Sequence, residues 1–184
     1  MTGLFKQNLN FADQKWVFIP KRLEIWRNFI DEKDATILAC GLEVFEYKLF
    51  PRANYVGTLG DYNYTTWKPI QSGIYKTVFC FEVLEHLCNP LFFLERMKYF
   101  MTKDGLLYIS FPSGRPQFLW TNGHFHEYGK ERAEKLFEMA GYKVIKSMKS
   151  PIIWRPFRDY LKGIRPLLRL IFPLKCRLYK LRLE

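Results

Sequence analysis

Short apolar runs rich in β-branched and aromatic residues alternate along this chain with segments of helical spacing, and that alternation restricts the fold more than any other feature. Strand then helix, repeated, is the pattern of a mostly parallel sheet covered by helices on both faces. The sharpest instance is the run from Thr77 to Phe81. It breaks at once into Glu82, Glu85 and His86, after which Asn89 and Pro90 open a helix with apolar residues at 91, 94, 97, 100 and 101. In such sheets ligands sit outside the carboxyl ends of the strands, near the point where strand order reverses. A buried strand that ends in two carboxylates and an imidazole is then a strand that ends at a solvated crevice.

The remaining elements follow the same logic. Leu23, Trp26, Phe29 and Ile30 predict an amphipathic helix after Pro20, a short strand covers 36–40 and stops at Gly41, and a brief helix over 42–50 ends before Pro51. "ANYVGTL" reads as a second strand, residues 60–73 as a polar aromatic loop without a helix, and "KDG" as a turn into a strand over 106–112. After a long loop over 112–128, Ala133, Leu136, Phe137 and Ala140 mark one face of a helix closed by Gly141, and a last strand covers 142–148. The residues facing the crevice are thus 41–43, 58–61, 82–86 and 112–115.

With 184 residues, 48% of them hydrophobic, one domain with a full core is expected. Four cysteines without a CxxC pair, and an N-terminus without a basic segment and apolar run, point to a reducing, cytoplasmic setting. No apolar run approaches the roughly 20 residues that cross a bilayer. Of the net charge of +11, residues 151–184 carry +7, from nine Lys and Arg against Asp159 and Glu184. The basicity therefore belongs mostly to the tail.

Taken together, "ILACG", "YKLFPRANYVG", "VFCFEVLEHLCNPLFFLERMKYFMTKDGLLYISFP" and "HFHEYGKERAEKLFEMAGY" resemble the class I S-adenosylmethionine-dependent methyltransferases, of the compact type 11/12-like kind, over residues 36–148. The resemblance implies an α/β fold of reduced size: a Rossmann-like, mostly parallel sheet with helices on both faces, in a domain over 1–150. It also implies S-adenosylmethionine as cofactor. The cofactor would lie over Cys40, Gly41 and Leu42 after the first strand, Thr58 and Asp61 after the second, and Phe81 and Glu82 after the third. The sequence departs from the family pattern at three places. Ala39 and a single Gly41 stand where the family has an acid and a run of glycines, Thr58 stands where an acid usually meets the ribose, and Lys76 replaces a third acid. The function implied is methyl transfer to a small molecule, a saccharide or a lipid-linked acceptor. The alternative is a catalytically degenerate binding or scaffolding protein on the same fold.

Methyl transfer from a sulfonium needs in-line placement, with a base if the acceptor is a hydroxyl. His124, His126 and His86 are the candidate bases, in that order. In an extended "HFHEY", His124 and His126 point to one side, but two histidines without a cysteine at ligand spacing do not complete a metal site, and none is assigned. Arg115 could grip a carboxylate or phosphate, or simply be a solvated turn residue. The tail interleaves Arg and Lys with Phe157, Tyr160, Leu161, Ile164, Leu168 and Ile171 on one helical face, broken by Pro166 and Pro173. A basic helical tail over 151–184 suits an anionic membrane surface, with peripheral association, or else packs on the sheet or a second subunit as a homo-oligomer. Without a recognisable motif, nucleic acid is the least favoured partner.

Overall fold

The computed structural model describes residues 20–31, 36–41, 49–71, 74–120, 122–151, 164, 168, 171–172 and 175–184. Three α-helices are described: α1 (Pro20–Phe29), α2 (Pro90–Met97) and α3 (Lys130–Met139). The strands are β1 (Thr36–Ala39), β2 (Asn54–Val56), β3 (Thr58–Leu59), β4 (Lys68–Pro69), β5 (Tyr75–Phe81), β6 (Met101–Ser113), β7 (Tyr142–Pro151) and β8 (Lys175–Leu183). Six of them form one sheet in the order β2-β1-β5-β6-β8-β7, and β3 with β4 makes a separate antiparallel pair. The β2, β1, β5 and β6 strands are mutually parallel, whereas β8 runs antiparallel to both β6 and β7. The result is a mixed, mostly parallel, Rossmann-like sheet.

Alternation along the strands feeds two cores. Leu38, Val78, Cys80, Leu107, Ile109, Phe111, Tyr179 and Leu181 face one side and meet Phe93, Leu94 and Met97 of α2 and Ala133 and Phe137 of α3. Their neighbours Ile37, Phe79, Phe81, Tyr108, Cys176 and Leu178 face the other side, against Trp26 and Phe29 of α1 and Ile30 just beyond it. Each fully buried side chain of this size contributes about 1.5–3 kcal/mol. Both layers are further tied by buried hydrogen bonds, from Trp26 Nε1 to Ser150 Oγ and from Tyr142 Oη to the Leu94 carbonyl. At the start of α2, Asn89 Oδ1 accepts from the Phe92 amide, as an N-cap should, with Pro90 in the first turn.

Three expectations are corrected. The C-terminal stretch is not helical throughout: Lys175–Leu183 is a strand, bonded on one side to β6 and on the other to β7. Cys176, Leu178 and Leu181 are buried while Lys175 and Arg182 are exposed or partly so, and Leu178 and Tyr179 lie on opposite faces. A period of two was hidden by arginines and lysines spaced as on a helix. "ANYVGTL" is likewise not one strand; it divides at Gly57 between β2 of the main sheet and β3 of the small one. The described part of the loop over 60–73, residues 60–71, has no helix, as expected, and contributes β4 to that pair. Finally, the "KDG" turn is absorbed as an irregularity inside β6, where the pairing jumps from Tyr75↔Met101 to Thr77↔Leu106. Residues 42–48 of the helix expected over 42–50, and most of the tail between 152 and 174, lie outside the described residues. No helix among the described residues is long and apolar enough to cross a membrane.

Candidate active site

The strand order reverses at β1, which has β2 on one side and β5 on the other, so a crevice is expected beyond the carboxyl ends of these strands. Gly41 leaves β1 directly against β5: a Cβ on it would stand 2.3 Å from the Phe81 carbonyl oxygen and 2.9 Å from the Phe81 nitrogen. Just after that contact Glu82 turns the chain with φ 56°, a left-handed conformation that side chains other than glycine rarely adopt. The turn is held on several sides. The Glu82 amide donates to the Ser110 carbonyl, and its carboxylate accepts from Ser110 Oγ at 2.8 Å and from the Cys176 thiol at 3.2 Å.

The other residues expected at the cofactor are placed as follows. Cys40 and Phe81 are fully buried, Phe81 with its ring edge-on to Trp26 at 4.9 Å, so their side chains belong to the cores rather than to a ligand. Thr58 lies in β3, its hydroxyl bonded to Tyr62 Oη, and Tyr62 packs edge-on against Trp67 and Phe93. Asp61 Oδ1 accepts from the backbone and side-chain nitrogens of Asn63, both at 2.9 Å, and Asn63 Oδ1 in turn accepts from the Cys88 amide. Leu42 lies outside the described residues. For a nucleoside cofactor this is a partial fit. Gly41 and the Glu82 turn supply close-lying backbone, and Asp61 keeps Oδ2 without a hydrogen bond among the described residues, but Thr58 and the Glu82 carboxylate are engaged within the protein.

A second constellation gathers beyond β5 and β6. The short 3₁₀ turn Leu84–His86 and the segment 123–128 are stitched together, since the amides of Phe125 and His126 both donate to the Glu85 carbonyl. His86 Nδ1 lies 2.9 Å from the Gly123 carbonyl oxygen, and the His86 and His124 rings meet edge-to-face at 4.8 Å. Arg115 is buried rather than solvated, and its target is the protein's own Glu127. Its Nε donates to Oε2 at 3.0 Å, its Nη2 donates to Oε1, and the same Oε1 lies 3.1 Å from His124 Nδ1. His126 stacks on Tyr128 at 5.4 Å instead of joining the other two imidazoles. Its Nε2, Tyr128 Oη, Arg115 Nη1 and Glu85 Oε2 are all buried without a hydrogen bond among the described residues.

Burial sets the electrostatics. The Glu85 carboxyl is held well above the ordinary carboxylate range, first by loss of solvent and then by the negative charges of Glu82 and Glu127. His86 is pushed below its ordinary value, again chiefly by burial, with the Gly123 carbonyl opposing and His124 adding to the effect. One donor atom each from Glu85, His86 and His124 lie within 4.8 Å of one another. Of the three histidines nominated from sequence, two are thus brought together. The Arg115 to Glu127 clamp was not legible, because nothing in "FPSGRPQ" says that the loop returns onto itself twelve residues later.

The fold is a Rossmann-like one that solved methyltransferases share. Among solved structures, a chain of the complex formed by the Haloferax volcanii Trm112 methyltransferase activator is 12% identical, with 94% of this chain and 91% of that one covered at a TM-score of 0.65. The 1,6-didemethyltoxoflavin-N1-methyltransferase of Burkholderia thailandensis, solved with S-adenosylhomocysteine, is also 12% identical, covering 94% and 80% at 0.58. The [4+2]-cyclase SpnF is 10% identical, covering 88% and 79% at 0.60. At such identities the likeness defines the fold alone, and the cyclase illustrates that one fold carries more than one activity. No protein-family model matches the chain, and no curated protein does.

Proposed function

We propose that this protein transfers a methyl group from S-adenosylmethionine to an oxygen or nitrogen of a small molecule, saccharide or lipid-linked sugar. The carrying observation is that Gly41 and Glu82 follow the carboxyl ends of the adjacent parallel strands β1 and β5, and that the loop after β6 brings His124 against His86, four residues beyond Glu82. That is the layout needed to hold a nucleoside beside an acceptor. When bound, the cofactor supplies the electrophilic methyl. On this chain, Gly41 and the backbone at Phe81 and Glu82 form the floor, and Asp61 Oδ2 is the carboxylate oxygen available to ribose hydroxyls. His124, oriented through Nδ1 by a carboxylate that Arg115 clamps, is placed to deal with the acceptor's proton.

Calorimetric titration with S-adenosylhomocysteine tests the reading. Saturable binding is expected, weakened about ten-fold or more by Asp61→Asn, since a hydrogen bond to a charged group contributes roughly 1.5–3 kcal/mol. Absence of heat up to millimolar ligand contradicts it and returns the degenerate binding protein as the better reading.

A further inference from the structure

Glu85 has a carboxyl oxygen with no partner. The side chain is 1% exposed, Oε2 makes no hydrogen bond among the described residues, and the nearest ion-pair contact described is His86 Nε2, 4.0 Å from Oε1. A buried carboxyl left in this state is costly and calls for an ion, a water or a bound proton.

The two imidazoles beside it are prepared in a particular way. In its neutral form His86 donates Nδ1–H to the Gly123 carbonyl, which puts the lone pair on Nε2, the nitrogen facing Glu85. His124 has its Nδ1 against Glu127, whose carboxylate Arg115 holds in a fork, so its lone pair likewise belongs on Nε2. An imidazole whose far nitrogen is fixed by a carbonyl or carboxylate is the arrangement of metal-ligating histidines, and it raises their basicity as ligands.

We propose that Glu85, His86 and His124 bind one divalent transition metal ion through two imidazole nitrogens and one carboxylate oxygen, with a further position open. Two His and one Glu with an open position is a donor set of catalytic zinc sites, whereas magnesium and calcium prefer oxygen alone. Ligand atoms about 2.0–2.1 Å from one zinc ion stand roughly 3.4 Å apart. The ligand atoms now stand within 4.8 Å of one another, so binding the ion requires them to draw together. The ion supplies the charge that buried Glu85 lacks.

The site's use rests on the methyl-transfer reading. At the open position the ion takes the acceptor's hydroxyl oxygen and lowers its pKa; the O–H bond breaks, the proton leaves to solvent, and the electron pair stays on oxygen. With the ion bound, the imidazoles serve as its ligands, and the ion takes over from His124 the task of making the acceptor's proton leave.

The test uses the full chain carrying Cys88→Ser, which removes the exposed thiol. After chelator treatment it is titrated with zinc chloride by calorimetry, and with cobalt chloride by visible absorption. Saturation at one ion per chain, with a micromolar or tighter Kd, is expected. Glu85→Gln and His124→Asn should each weaken binding by about ten-fold or more, and Glu127→Gln, which removes the hold on His124, by at least about ten-fold. Circular dichroism checks that each variant is folded. If the variants do not fold, cobalt-shifted imidazole resonances in the parent decide: the largest, contact-shifted signals belonging to His86 and His124 support the site, and their belonging to His126 instead overturns it. Binding weaker than millimolar by the folded parent, or binding unchanged in folded Glu85→Gln and His124→Asn, also overturns it. Neither titration needs the nucleoside, so the metal site and the methyl-transfer reading fail separately.

Discussion

Gly41 lies so close to Phe81 that a single added carbon would enter the backbone of the neighbouring strand, 2.3 Å from its carbonyl oxygen. This glycine is required by the space between β1 and β5, where Cys40 also donates its amide to the Phe79 carbonyl at 2.8 Å. The contact is to backbone, which cannot rotate aside.

Gly41→Ala is therefore expected to destabilise the fold by about 1–3 kcal/mol, the usual cost of overpacking. Urea denaturation measures it. A shift below about 0.5 kcal/mol, the scale of an ordinary surface change, would show that β1 and β5 do not approach this closely.

Glu82 should separate backbone strain from side-chain bonding. Glu82→Ala removes the carboxylate that receives Ser110 and Cys176 yet keeps a Cβ at φ 56°, whereas Glu82→Gly removes both. The glycine variant is expected to be the more stable of the two by about 1 kcal/mol, read from paired denaturation curves. Equal stability, or a more stable alanine variant, would place Glu82 outside the left-handed region.

Deleting residues 175–184 tests the role of the C-terminus. Because β8 is bonded to β6 on one side and β7 on the other, its loss separates two strands and uncovers both cores. The truncated chain is expected to lose cooperative unfolding and near-ultraviolet circular dichroism. A peripheral basic tail would instead come off with the fold intact.

What the sequence made legible follows from local chemistry. Strand β5, the Asn89-Pro90 start of α2 and the Ala133, Phe137 face of α3 could be read because patterning and capping are local signals. Strand β8 could not. In β8, Arg177 is buried and donates to Ser113 Oγ, so a residue that suggests solvent is instead satisfied by a strand far away in sequence. The site divides in the same way. Glu85 and His86 were visible as polar residues after an apolar run and His124 as a candidate base in "HFHEY", but their meeting depends on the loop after β6 folding back onto the Glu85 carbonyl. The side chains of Cys40 and Phe81, by contrast, were taken by the cores on either side of the sheet.

The central claim is that the carboxyl ends of β1, β2 and β5 hold a nucleoside. A crystal structure of the protein with S-adenosylhomocysteine tests it most directly. The account predicts adenosyl density against the backbone of Gly41 and Glu82, with the ribose within hydrogen-bonding distance of Asp61 Oδ2. Density at another edge of the sheet, or none there at saturating ligand, would contradict it.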